Sequence, residues 1–219
     1  VIPSPLLVVT DRRQASRPLD AVAAACLDAG CRWMGIRERD LPAAELTELA
    51  GRLGALARAA GARMVLFGPP EAAVAAGLDA VHLRTGEDLA MARRVLGPGA
   101  LVGVSVHDRA EAVAAARAGA DYVLLGPAFP TASKPGYGPT LGPAGLAAAT
   151  GLGLPVVAIG GIDAGNAGAC LAAGAAGIAV MGGVMRAPDP GAAVRVLLAA
   201  LDQAAWPAAQ PDDQAHWKL

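Results

Sequence analysis

Val156-Val-Ala-Ile-Gly-Gly-Ile162, followed closely by Gly177-Ile-Ala-Val-Met-Gly-Gly183, decides the fold. Each half is a short apolar run ending in paired glycines, which reads as a buried parallel strand opening into a tight turn. Glycine lacks a Cβ, so its backbone takes positive φ and brings N–H groups close to an anion. Two such turns on successive strands, with a helical stretch between them, fit the phosphate site after strands seven and eight of a (β/α)8 barrel. Gly160, Gly161, Met181, Gly182 and Gly183 are therefore candidate phosphate-binding residues. The plainer alternative is that these glycines only punctuate turns.

The rest of the chain repeats the same grammar. Ala-Gly recurs at Ala29-Gly30, Ala76-Gly77, Ala118-Gly119 and Ala173-Gly174, each after an Ala-rich helical stretch and each before an apolar segment. Glycine just past the last helical residue is the usual C-terminal stop. The four marks lie about 40 to 55 residues apart, roughly twice one strand–helix unit, so they flag every second unit and imply about eight. Leu6–Thr10, Arg63–Phe67, Leu101–Val106 and Val156–Ile159 supply the odd strands, and Trp33–Ile36, Ala80–Leu83, Tyr122–Leu125 and Gly177–Val180 the even ones. Helices are expected over Leu19–Ala29, Pro42–Ala60, Glu71–Ala76, Asp88–Leu96, Arg109–Ala118, Pro143–Thr150, Ala164–Ala173 and Pro190–Gln203. No Gly-x-Gly-x-x-Gly follows an early strand, which argues against a dinucleotide-binding sheet. The expected architecture is an α/β protein, a single (β/α)8 TIM barrel over residues 1–204, with a proline-rich, polar and poorly ordered tail over 205–219.

Composition agrees with one barrel. Among 219 residues 54% are hydrophobic and only 3% aromatic, so the core is built from Ala, Val, Leu and Ile. That is the palette of parallel strands covered by helices. With 18 basic and 19 acidic residues the formal charge is −1, which offers no electrostatic footprint for nucleic acid or an anionic membrane. Residues 135–162 carry no charge but are broken by Pro139, Pro143, Pro155 and many glycines, which excludes a spanning helix there. The start, Val-Ile-Pro-Ser-Pro, lacks the basic region and long apolar core of a signal peptide. Cys26, Cys31 and Cys170 have no metal-type spacing and read as buried reduced thiols, with a cytoplasmic location as the default.

In such barrels chemistry sits at the C-terminal ends of the strands. Strand two ends in Arg37-Glu38-Arg39-Asp40, where Arg37 and Arg39 point the same way under strand periodicity. Their guanidinium forks suit phosphate or diphosphate oxygens, unless the four residues form a surface ion-pair cluster. Strand four delivers His82, which alone would read as a core histidine. Strand five delivers Ser105 and His107 on one face, although His107 with Asp108 could instead cap the next helix. By default the two histidines are the groups titrating near neutrality. Strand six leads into a long loop whose Thr131, Ser133 and Lys134 suit an oxyanion site that folds over a ligand. Cations at one side and Gly-Gly turns at the other suit a substrate with phosphate groups at both ends.

The ordered set Val8-Val-Thr-Asp11, Ile36-Arg-Glu-Arg-Asp40, Asp79-Ala-Val-His-Leu83, Gly103-Val-Ser-Val-His107, Ala118-Gly-Ala-Asp-Tyr-Val123 and Gly126-Pro-Ala-Phe-Pro-Thr131 continues through both glycine motifs. In order and spacing it resembles the thiamine phosphate synthase/TenI family over nearly the whole chain. The resemblance implies a (β/α)8 barrel handling a phosphorylated thiazole or thiamine phosphate, and it admits homo-oligomers. In the synthase branch a hydroxymethylpyrimidine diphosphate is joined to thiazole phosphate with Mg²⁺ on the leaving diphosphate, and Ser105, Thr131, Ser133 and Lys134 match its diphosphate-binding positions. Its strand-two Gln-x-Arg-x-Lys is replaced here by Gly35-Ile-Arg37-Glu-Arg39, and its strand-three Asn-Asp, the metal ligand, by Phe67-Gly68. Only Glu87 or Asp88 could stand in as metal ligands.

The TenI branch shares Ile-Arg-Glu-Arg and the missing aspartate, and its tautomerases move a proton on a thiazole carboxylate phosphate without metal or cofactor. Their histidine falls at Pro127, so His82, His107, Ser105 and Glu38 are the catalytic candidates here. The leading expectation is thus a thiazole tautomerase. A Mg²⁺-dependent synthase is the alternative, and a non-catalytic thiazole or thiamine phosphate binder the second alternative.

Overall fold

Eight short, almost wholly apolar strands leave no sheet edge to protect, because they close on themselves. The computed structural model describes residues 1–131 and 139–204. The strands are β1 (Leu6–Val9), β2 (Trp33–Ile36), β3 (Arg63–Leu66), β4 (Ala80–Leu83), β5 (Leu101–Val106), β6 (Tyr122–Leu125), β7 (Val156–Ile159) and β8 (Gly177–Val180). They run in sequence order around a closed parallel barrel, sealed where Leu6, Leu7 and Val8 pair with Ile178, Ala179 and Val180. The (β/α)8 architecture expected from the sequence is the one found. The tail over 205–219 lies outside the described residues.

Helices alternate with the strands: α1 (Leu19–Asp28), α2 (Ala43–Ala59), α3 (Pro70–Ala75), α4 (Leu89–Leu96), α5 (Arg109–Arg117), α6 (Gly142–Ala148) and α7 (Ala167–Ala172). After β8 come α8 (Gly182–Met185) and α9 (Pro190–Gln203). The four Ala-Gly marks behave as read: Gly30, Gly77, Gly119 and Gly174 all take positive φ just past a helix. Aspartates 88, 108 and 189 start α4, α5 and α9, each carboxylate accepting from the amide three residues on at 2.8–2.9 Å. Asp163 and Asn166 form a turn that delays α7 to Ala167, three residues later than the sequence suggested.

Two apolar layers result. The outer one packs the outward strand faces against the helices and takes in Cys26, Cys31 and Cys170. All three thiols are free and buried, and burial is the chief cause that pushes them up to about 12, 11 and 11. The inner layer fills the barrel with Leu7, Val9, Trp33, Val65, Leu101, Tyr122, Leu124 and Val157. Trp33 and Tyr122 meet edge to face at 4.9 Å, and together they occupy the middle of the lumen. That needs a gap on the neighbouring strand. Gly103 supplies it, since a Cβ there would run into the Tyr122 ring. No helix among the described residues is long and apolar enough to cross a membrane.

Candidate active site

The upper end of the barrel is built on alternation. Beyond β2, Arg37 and Arg39 line a cavity of about 550 Å³, whereas Glu38 is buried on the opposite side. Its carboxylate accepts from Thr10 Oγ1 at 2.7 Å, from the Arg12 amide at 3.1 Å and from the Arg12 guanidinium at 3.2 Å. Thr10 Oγ1 in turn accepts from the Arg37 amide at 3.0 Å, so the segment that carries the two arginines is fixed from behind. Asp40 takes both Arg12 nitrogens at 2.6 Å and Arg13 at 2.7 Å. The Arg12 guanidinium holds its carboxyl down at about 2. The acids of this tetrad therefore pair with the β1 loop and leave the cavity to the arginines. Glu38, read from the sequence as a proton-transfer candidate, lines neither main cavity and serves as an anchor instead.

His82 is 3% exposed and lines a second cavity of about 320 Å³, shared with Arg39, Phe67 and Ser105. Its Nδ1 lies 3.1 Å from the Tyr122 hydroxyl and its Nε2 2.9 Å from Ser105 Oγ. Burial above all, and then the charge of Arg39, push its pKa down to about 3. It is neutral at physiological pH, which corrects the default assumption that it titrates near neutrality. Phe67 covers it, with ring centroids 4.4 Å apart and planes 34° apart. The Phe67 ring also fills the space over Gly35, where a Cβ would sit 2.5 Å from its Cε2. Two departures from the synthase motifs, one on β2 and one after β3, are thus a single packing change.

Ser105 and His107 both line the larger cavity, as their shared strand face required. Asp108 caps α5, and His107 joins it at the helix start: its amide donates to Glu111 Oε2 at 2.7 Å, and its Nδ1 lies 3.0 Å from the same oxygen. Thr131 reaches the same cavity, while Ser133 and Lys134 lie outside the described residues.

Gly160, Gly161, Met181, Gly182 and Gly183 form its opposite rim. Gly160 and Gly161 take φ of 102° and 64°, the left-handed region expected of a turn. Gly182 and Gly183 instead begin α8, whose first amides have no partner within their own helix. The sequence reading missed this helix, and with it Arg186. That guanidinium lies against Gly182, reaches Gln14 Oε1 and lines the cavity beside the glycines. Gln14 is held by Asp11 at 2.6 Å. Reading Gly182 as a helix start would have placed Arg186 one turn on, at the rim.

The residues present do not fit a protein-held Mg²⁺ site. Gly68 brings no carboxylate, Glu87 accepts from the Arg84 amide at 2.7 Å, and Asp88 is committed to the α4 cap. Among the described residues no group of three or more His, Cys, Asp or Glu side chains gathers to hold a metal.

Fold and rim together define a (β/α)8 barrel with a polar cavity at the C-terminal ends of its strands. The chain belongs to the thiamine monophosphate synthase family, whose profile matches residues 6–184. It is 41% identical over 202 residues to the thiamine-phosphate synthase of Roseiflexus sp., covering 90% of this chain and 85% of that one. It is 46% identical over 180 residues to the thiamine biosynthesis bifunctional protein ThiM/ThiE of Symbiobacterium thermophilum, covering 81% of this chain but 37% of that longer protein. Among solved structures, the thiamine phosphate pyrophosphorylase from Pyrococcus furiosus superposes with a TM-score of 0.82 at 31% identity, over 91% of this chain and 96% of that one. These relatives back the synthase alternative better than the tautomerase reading that the sequence put first.

Proposed function

We propose that the protein is a thiamine-phosphate synthase, a transferase that joins a hydroxymethylpyrimidine diphosphate to a thiazole phosphate and releases diphosphate. The bond formed is from the thiazole ring nitrogen to the pyrimidine methylene carbon. The bond broken is from that carbon to the diphosphate oxygen, which leaves with the electron pair. The observation that carries this reading is one cavity of about 550 Å³ with cations and a serine on one side and a glycine rim on the other. Two phosphorylated partners meeting end to end need such an arrangement.

In this reading Arg37, Arg39 and Ser105, with Thr131 and the Ser133 and Lys134 of the following loop, take the diphosphate. Gly160, Gly161, Gly182 and Gly183 hold the thiazole phosphate through backbone amides, with Met181 beside them and Arg186 as the neighbouring charge. No proton transfer precedes bond formation, so a neutral His82 with both nitrogens engaged is compatible with the reaction. Arg37 and Arg39 stabilise the charge that builds on the departing diphosphate.

One observation favours a second reading: the strand-three carboxylate is absent, as in the tautomerase branch. With Glu38 turned away from the cavity, His107, which lines the cavity and pairs with Glu111, would then be the base. Incubation with both synthase precursors decides between them. Thiamine phosphate, detected after oxidation to its fluorescent thiochrome, is the expected product. No product at stoichiometric enzyme, together with aromatisation of the thiazole carboxylate phosphate, would overturn the synthase reading.

A further inference from the structure

Tyr122 lies in the middle of the barrel with no exposed surface, yet it carries a hydroxyl. Burial, and then Asp121, push its pKa up, so it stays a protonated phenol. A buried O–H needs an acceptor. Among the described residues the one polar atom within reach of this hydroxyl is His82 Nδ1, at 3.1 Å. A neutral imidazole carries one proton, on either Nδ1 or Nε2. Were it on Nδ1, that N–H would point at the phenol oxygen and the phenol proton would be left buried without a partner. Were it on Nε2, the phenol donates to Nδ1, Nε2–H donates to Ser105 Oγ at 2.9 Å, and both the phenol and the imidazole protons are satisfied. Ser105 then spends an acceptor site on the histidine, and its own proton is directed to another acceptor. Ser105 lines both cavities.

We propose that Tyr122 is a positioning residue, which through His82 holds the Ser105 hydroxyl as a hydrogen-bond donor toward a phosphoryl oxygen in the cavity. The ligand half of this inference rests on the phosphoryl reading above, whereas the relay itself rests on the three side chains. The chain Tyr122 → His82 → Ser105 links strands β6, β4 and β5 in one direction. Such one-way donation fixes a hydroxyl rotor that would otherwise turn freely, and a pre-aimed donor costs no reorganisation when charge arrives. Gly103, which makes room for the Tyr122 ring, belongs to the same device.

Nitrogen NMR of protein labelled at histidine tests the relay, with the His82 signals identified by their loss in His82→Gln. A neutral ring protonated at Nε2 is expected in the unaltered protein. A ring protonated at Nδ1 would overturn the relay. Tyr122→Phe keeps the ring against Trp33 and removes only the hydroxyl, so it should fold. In it the Nε2–H form should lose its dominance. Calorimetric titration with inorganic diphosphate then reads the consequence. Tyr122→Phe should weaken binding about fivefold in the unaltered background and less than twofold alongside Ser105→Ala. Equal losses in both backgrounds would overturn action through Ser105. Failure of the unaltered protein to bind diphosphate would overturn the phosphoryl half, and the proposed function with it, while the NMR result still judges the relay.

Discussion

The two Gly-Gly pairs look interchangeable in the sequence and do different physical jobs in the fold. Gly160 and Gly161 lie in left-handed backbone, pressed against the loop after β6. A Cβ on Gly160 would meet Pro127 at 3.0 Å, and one on Gly161 would strike the carbonyls of Pro130 and Phe129. Asn166 Nδ2 donates to the Gly161 carbonyl at 2.9 Å and holds the turn from outside. Gly182 and Gly183 have ordinary helical backbone. A Cβ on Gly183 would meet nothing within 4 Å, because it would point into open space at the rim. A Cβ on Gly182 would run into the Arg186 guanidinium, so three of the four glycines answer to the chain's own packing and Gly183 alone faces open space.

The comparison breaks if Gly161 and Gly183 respond alike to substitution. Gly161→Ala should cost about 2–3 kcal/mol, a fall in Tm of roughly 5–10 °C, from positive φ combined with backbone crowding. Gly183→Val should leave Tm within about 2 °C and weaken binding of thiazole phosphate by about tenfold or more, as read by titration. Arg186→Ala sharpens the contrast at the second rim. Binding should fall about tenfold, the loss of one charge-assisted contact, with melting unchanged.

The smallest effect is read by acid, at the opposite wall. His82 is held at about 3 in the fold against about 6.5 in the unfolded chain, so on acidification the unfolded state gains a proton that the native state refuses. Stability should be level above pH 7 and fall by about 1 kcal/mol between pH 7 and pH 5.5. His82→Gln should flatten that slope in melts taken across the range, while the responses of the two glycine rims stay as they are.

Much of this was legible in the sequence. All eight strands stand within one residue of their expected bounds, because strands buried on both faces write themselves as uninterrupted apolar runs. The helix stops were equally plain, since left-handed backbone after a helix calls for glycine. Short α8 was hidden by its own composition: Gly-Gly is a poor helix start by propensity, and only the closed rim makes the turn worthwhile. Arg186 was lost with it. The alternation that aimed Arg37 and Arg39 at the cavity also sent Glu38 away from it, so that residue's role was readable from the same rule. Tyr122 could not be found this way. Inside an apolar strand a tyrosine reads as packing, and its hydroxyl acquires meaning only when β4 brings His82 beside it.

Gly35 on β2 and Phe67 just past β3 share one volume. Adding a side chain at 35 while the ring remains produces a collision at 2.5 Å, and trimming the ring while 35 stays bare leaves His82 without its cover. Each single step goes uphill, though the paired exchange need not. The two positions therefore behave as one heritable unit. An attempt to graft the glutamine and asparagine of the synthase motifs onto this barrel has to carry both across together.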